Sequence, residues 1–118
     1  MCSVSKGEAP HLKACAHLIE KAEAGWVVKA DLWIAGKNKS ESSVFTASIV
    51  CIDSGGSILR EVKKKLSKPD RAAQQLTLPE IIIPSGTAET YLMLVVEVTQ
   101  EARGNEWWKF DDITVLIK

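Results

Sequence analysis

Alternation of apolar and polar residues at a period of two constrains this chain more than any other feature. It is clearest at residues 90–100, where Leu92, Leu94, Val96 and Val98 share one face and Tyr91, Met93, Val95 and Glu97 the other. Only an extended chain places residues i and i+2 on the same side, so the pattern calls for a strand with one buried face. The period returns at 26–35, with Trp26, Val28, Ala30, Leu32 and Ile34 opposite Val27, Lys29, Asp31 and Trp33. It returns at 44–53, where Phe45, Ala47, Ile49 and Cys51 form the more apolar face in a segment dense in β-branched residues. Residues 58–62 pair back across Asp53-Ser54-Gly55-Gly56 as a hairpin. Residues 74–83 read as an edge or bulged strand, because Pro79 cannot donate to a ladder. Further turn signals lie at 36–43, at Pro84-Ser85-Gly86-Thr87 and at Gly104-Asn105. About seven or eight short strands at regular spacing argue for an all-β antiparallel sandwich.

Two stretches need separate treatment. Residues 11–23 carry good helix formers between Pro10 and Gly25. Yet Leu12, Ala14, Ala16 and Leu18 alternate strictly with His11, Lys13, Cys15 and His17, the period of a half-buried strand. Because every later segment is β, a strand is expected here. The chain closes on Trp107-Trp108-Lys109-Phe110-Asp111-Asp112, followed by alternating Ile113, Val115 and Ile117. If Phe110 and Ile113 both face the core, alternation slips by one residue at the aspartates, which calls for a β-bulge. One tryptophan is expected to pack inside near Phe110, leaving the other, taken as Trp107, at an edge.

The 118 residues are expected to form one domain, with residues 1–9 a flexible lead-in. Fifteen basic and fifteen acidic residues give zero net charge, so no overall field draws in nucleic acid or an anionic membrane, and neither is an expected partner. No apolar run is long enough to span a bilayer. Cys2, Cys15 and Cys51 are too few and too odd in number for a disulfide framework. Residues 1–10 hold no apolar signal-peptide region. That fits a cytoplasmic protein or a module cut from a longer secreted one.

Several pieces in order resemble one family. They are Gly25-Trp26 opening a strand that ends Leu32-Trp33-Ile34, then Ile52-Asp53-Ser54-Gly55-Gly56, then Ile82-Ile83-Pro84-Ser85-Gly86-Thr87. Tyr91-Leu92-Met93-Leu94-Val95-Val96-Glu97 and Trp108-Lys109-Phe110-Asp111-Asp112-Ile113 follow. The set resembles the carbohydrate-binding modules of the family 4/9 type, within the galactose-binding-like jelly rolls. It covers most of the chain from Gly25 onward. One departure is plain: the first strand usual in such modules, with an Asn or Asp and a Phe-Glu pair, is not found before His11. The resemblance implies a jelly-roll sandwich and a non-catalytic module that binds carbohydrate. It also implies a structural Ca²⁺ at Asp111 and Asp112. Against the ion, two adjacent carboxylates fall short of the six to eight oxygens Ca²⁺ takes, and the alternative is that they satisfy bulge amides. No other cofactor is expected.

The candidate ligand-binding residues are those pointing away from the core. Trp33, Tyr91, Met93 and Val95 make an apolar outer surface, with Lys29, Asp31, Glu97, Thr46 and Ser48 as polar neighbours. Sugars suit such a surface, because pyranose C–H faces stack on aromatic rings while polar neighbours bond the hydroxyls. Trp33, Tyr91, Trp107, Lys29, Asp31 and Glu97 are therefore the expected site. Two other readings of the surface stay open: a homo-oligomer interface, and cover by residues 11–23. An enzyme is not expected, since no phosphate loop, zinc-protease helix or nucleophile elbow is present. His11, Cys15 and His17 share parity but have no visible fourth metal ligand, and Lys63, Lys64 and Lys65, with Lys68 and Arg71, could touch phosphate but read as a solvated loop offset by Glu61 and Asp70.

Overall fold

The computed structural model describes residues 2–20 and 22–118. Met1 of the expected lead-in and Lys21 of the segment 11–23 lie outside them. Among the described residues nine strands follow in order: β1 (Cys2–Val4), β2 (His11–Leu18), β3 (Val27–Lys37), β4 (Ser43–Ile52), β5 (Ile58–Leu66), β6 (Gln74–Thr77), β7 (Ile81–Ile82), β8 (Glu89–Val98) and β9 (Glu106–Ile117). Among the described residues there is no helix, so none is long and apolar enough to cross a membrane.

The strands form two antiparallel sheets. One runs β1-β9-β3-β6, with β7 also on β3; the other runs β2-β8-β4-β5. The connectivity is that of a jelly roll: one long hairpin with its tip at residues 53–57, rolled so that β9 meets β3 and β8 meets β4. The tip is fixed by Asp53, whose Oδ1 accepts the Gly55 and Ser57 amides, each at 2.9 Å. The alternating rows expected from the sequence fill the space between the sheets. Val28, Ala30, Leu32 and Ile34 meet Phe45, Ala47, Ile49, Leu92, Val96 and Val98, all almost fully buried. Trp26, expected at the head of the first of these rows, stands before β3 and is exposed. Pro79 separates β6 from β7 at the edge of the five-stranded sheet, as its missing N–H requires.

The closing strand plugs one end. Trp108 is fully buried and stacks on Phe45 at 5.8 Å, and Phe45 stacks on Phe110 at 5.3 Å. The bulge is present: Trp33 pairs with Asp111 but Asp31 with Thr114, and Asp112 has φ 49°. The Asp112 amide is satisfied by Asp111 Oδ1 at 3.0 Å. Around Trp108 lies a buried polar node. Its Nε1 donates to Ser43 Oγ at 2.9 Å, and Ser43 Oγ donates to Asn38 Oδ1 at 3.1 Å. Asn38 Nδ2 donates to the Ser43 and Ser67 carbonyls, both at 2.8 Å. Beside it the buried Glu106 carboxylate accepts from the Ser40 amide and hydroxyl, at 3.0 and 2.9 Å, and from the Lys39 amide at 3.3 Å. The turn between β3 and β4 is therefore held from inside.

Three expectations need correction. Residues 2–4 are not a frayed lead-in: they pair with residues 106–108 as β1, and Val4 is buried. Lys63, Lys64 and Lys65 are not in a loop. They continue β5 along β4, where lysines on an edge strand oppose pairing with another chain. Residues 11–18 are a strand, but neither of its faces is buried, and the row expected inward points out. Its register sets His11, Lys13, Cys15 and His17 beside the inward Val98, Val96, Leu94 and Leu92. Leu12 and Leu18 point out with 64% and 43% of their surface exposed. A one-residue change of register exchanges the faces of a strand. At this edge the inward side opens laterally, where Lys13 reaches Glu8 and the Ser3 carbonyl.

Candidate functional site

Cross-strand register maps the outer face of the five-stranded sheet. Trp107 on β9 lies beside Lys37 on β3, Lys109 beside Ala35, Asp111 beside Trp33, and Thr114 beside Asp31. On the far side of β3, Gln75 lies beside Trp33 and Thr77 beside Asp31. Trp33 and Trp107 thus stand on neighbouring strands, four residues apart along the sheet, or about 13 Å at the rise of an extended chain. Between them the floor is low, because Ala35 and Ala73 carry only methyl groups. The result is an open groove of about 490 Å³ lined by Trp33, Ala35, Arg71, Ala73, Trp107, Lys109, Asp111 and Asp112. Trp33 is 41% exposed and Trp107 half-buried, so both indoles offer surface to a ligand.

The wall carrying Arg71 is built by a close approach. The Gly36 amide donates to the Asp70 carbonyl at 2.9 Å, and the Asp70 side chain accepts the Ala72 amide at 3.1 Å. A Cβ on Gly36 would sit 2.9 Å from the Trp107 carbonyl oxygen and 3.0 Å from Pro69, so only glycine lets this segment lie against β3. Beyond Arg71 the groove continues into a polar cleft of about 470 Å³, lined mainly by the C-terminal end of β3, the turn after it and residues 68–71.

Of the expected site residues, Trp33, Trp107, Lys29 and Asp31 share this face, Lys29 lying further along β3 beside Leu116. Tyr91 and Glu97 do not. They lie on β8, in the opposite sheet and on its outward side, so one surface holding both Trp33 and Tyr91 does not exist. The thickness of the sandwich separates the two. Tyr91 donates its hydroxyl to Glu89, which pushes the phenol pKa up. Around it Met93 and Val95 are half-buried, with Thr46 and Ser48 alongside. Residues 11–18 extend this surface rather than cover it, adding Leu12, Ala14, Ala16 and Leu18 beside Glu97, Val95, Met93 and Tyr91. Arg71 is expected from the sequence only as part of the solvated charged loop, and nothing there singles out Lys109, Ala73 or Gln75. The only signal for them is the small-residue pair Ala72-Ala73 before an alternating stretch.

Asp111 and Asp112 enter the groove as the bulge, with Asp111 Oδ1 occupied by the Asp112 amide. Among the described residues no third carboxylate, imidazole or thiol joins them in a metal cluster. Two exposed carboxylates fall well short of a Ca²⁺ shell, so this donor set does not fit the ion.

No protein-family pattern matches the sequence, and no curated protein matches it. Two solved structures share its fold. The enzymatically active domain of tailspike protein 4 of bacteriophage CBA120 covers 98% of this chain with a TM-score of 0.71 at 14% identity. This chain spans 15% of that one. A CBM4 structure covers 98% of this chain with a TM-score of 0.56 at 11% identity, and 81% of its own length is matched. Likeness at these identities is likeness of fold: an all-β sandwich of two antiparallel sheets.

Proposed function

We propose that this protein is a non-catalytic carbohydrate-binding module that holds a glycan along the outer face of the five-stranded sheet. The observation that carries the reading is the pair of outward indoles, Trp33 and Trp107, bracketing a shallow floor of Ala35 and Ala73. Indoles at the two ends of a low floor suit stacking on separate rings of one chain. Lys109, Arg71, Asp111 and Gln75 stand where they can bond hydroxyls. The fold shared with a CBM4 structure supports the same class. The carboxylates argue for binding rather than hydrolysis. Glycoside hydrolysis needs two of them flanking the bond to be cut, whereas Asp111 and Asp112 sit together on one bulge at one side of the floor.

The test is binding to a glycan array, followed by affinity electrophoresis on the best ligand. Trp33→Ala and Trp107→Ala are each expected to weaken binding about tenfold, or ~1.4 kcal/mol, without lowering the melting temperature. Tyr91→Ala, on the opposite face, should bind like the parent. Loss with Tyr91→Ala but not with Trp33→Ala would move the site to the other sheet. No binding by the parent protein would end the reading. A second reading concerns the four-stranded sheet alone: its outer face, made more apolar by Leu12 and Leu18, suits a second copy of this chain, giving a homodimer.

A further inference from the structure

We infer that the glycan taken by this groove is acidic, its carboxylates or sulfates held by the cations at the Trp107 end. The inference rests on the reading of the groove as a glycan site. The whole chain has zero net charge, so a local excess of one sign reflects placement and not composition. The polar cleft that continues the indole groove is lined by Lys37, Lys39, Lys68 and Arg71 against Glu41 and Asp70. Lys68 is spent on Glu41 at 3.6 Å. Asp70 accepts the amide of Ala72. Lys37, Lys39 and Arg71 make no ion pair among the described residues, leaving three cations facing one committed carboxylate.

Their positions are fixed from beneath. Lys37 stands beside Trp107 in the ladder. Lys39 sits on the turn whose amides the buried Glu106 holds. Arg71 follows Asp70, which is tied to the Gly36 amide, and it lines both the groove and the cleft. A chain stacked on Trp33 and Trp107 would run off the floor directly into these cations. A neutral chain gains only ordinary hydrogen bonds from them, whereas a carboxylate or sulfate gains charge-assisted ones, bidentate with Arg71.

The experiment is isothermal titration of the full chain with sodium polygalacturonate and sodium alginate. Each is paired with its carboxyl-reduced, neutral counterpart, at low and high NaCl. The acidic forms are expected to bind about tenfold tighter than the reduced ones, with the difference shrinking as salt screens it. Lys37→Gln together with Lys39→Gln, which line the cleft and not the indole groove, should weaken the acidic ligands about fivefold and leave the reduced ones unchanged. Both positions are on the surface, and an unchanged melting temperature confirms that the variant is folded. Equal binding of acidic and reduced forms, abolished by Trp33→Ala, would overturn the inference while sparing the groove. Binding of neither form would overturn both. Equally tight binding of poly(dT) would reduce the cleft to an unselective cation patch, and also overturns it.

Discussion

Asn38 offers the sharpest test of how the turn beneath the cleft is held. It is 6% exposed, and its amide nitrogen donates to the Ser43 and Ser67 carbonyls at 2.8 Å each while its oxygen accepts from Ser43 Oγ at 3.1 Å. Asn38→Ala removes three hydrogen bonds, two buried and one part-buried, each worth about 1 kcal/mol, and takes that donor from two carbonyls. The expected loss is about 3 kcal/mol, a large part of the ~5–15 kcal/mol that holds a domain of this size. At about 4 °C per kcal/mol, the melting temperature should fall by about 12 °C. Asn38→Asp separates hydrogen bonding from charge. The protonated acid still gives one carbonyl a donor, whereas the carboxylate turns an anion toward two carbonyl oxygens in a buried site. Both effects disfavour the charged form, so the folded-state pKa of the introduced acid lies above the unfolded value of about 3.9. The sign follows: the variant is least impaired below about pH 3.9 and loses stability as pH rises toward its folded-state pKa, by up to about 1.4 kcal/mol per unit. Urea unfolding followed by tryptophan fluorescence from pH 4 to pH 8, against the parent protein, measures this directly. A difference that stays flat within about 0.5 kcal/mol would refute the argument, since the amide would then not be facing two acceptors.

Two further outcomes are expected. Val27 and Lys118 exchange hydrogen bonds at 2.8 and 3.0 Å, which sets the phase of the ladder: Thr114 and Leu116 present their amides to β3, while Val115 and Ile117 present theirs to the edge that β1 leaves unpaired. Hydrogen exchange should therefore be roughly a hundredfold faster at Val115 and Ile117 than at Thr114 and Leu116, and equal protection would mean another strand covers that edge. For the homodimer, light scattering after size exclusion should give twice the monomer mass for the parent and the monomer mass for Met93→Glu; a parent protein that stays monomeric at the highest soluble concentration retires that reading.

The period-two pattern made the inward rows of β3, β4 and β8 legible, because burial on one face of a strand leaves that trace in its residue order. The bulge was legible for the same reason: Phe110 cannot share a face with Val115 and Ile117 without an extra residue between them, although Ile113, expected on that face too, stays 45% exposed. What alternation does not encode is which sheet a strand joins. Trp33 and Tyr91 are both correctly outward, yet β3 and β8 belong to different sheets, so their outward sides face away from each other. Nor does it encode which face of an edge strand turns in. In β2 the apolar row is outward because pairing with β8, whose inward row is fixed by the core, sets the register, and at the open sandwich edge His11, Cys15 and His17 stay exposed even on the inward side. β1 left no trace at all, since three residues are too few for a period to show. Its shortness is why β9 has an unpaired edge beyond Trp108 among the described residues.

The groove itself is a product of the roll rather than of any one segment. It joins residues 33–37, 71–75 and 107–112, which meet only because the long hairpin folds back to lay β9 and β6 on either side of β3. Within β9 two demands conflict. The end near β1 must send Trp108 and Phe110 inward to stack with Phe45, while the far end must send Val115 and Ile117 inward over Val28 and Ala30. These two sets have opposite parity, and an unbroken strand could satisfy only one. The extra residue at Asp112, held in the left-handed region at φ 49°, reconciles them. It also fixes Trp107, Lys109 and Asp111 on the outer face beside Lys37, Ala35 and Trp33. The aspartates thus matter to the groove first through the backbone they shape, and the same bulge that lets the core close sets the second indole on the surface.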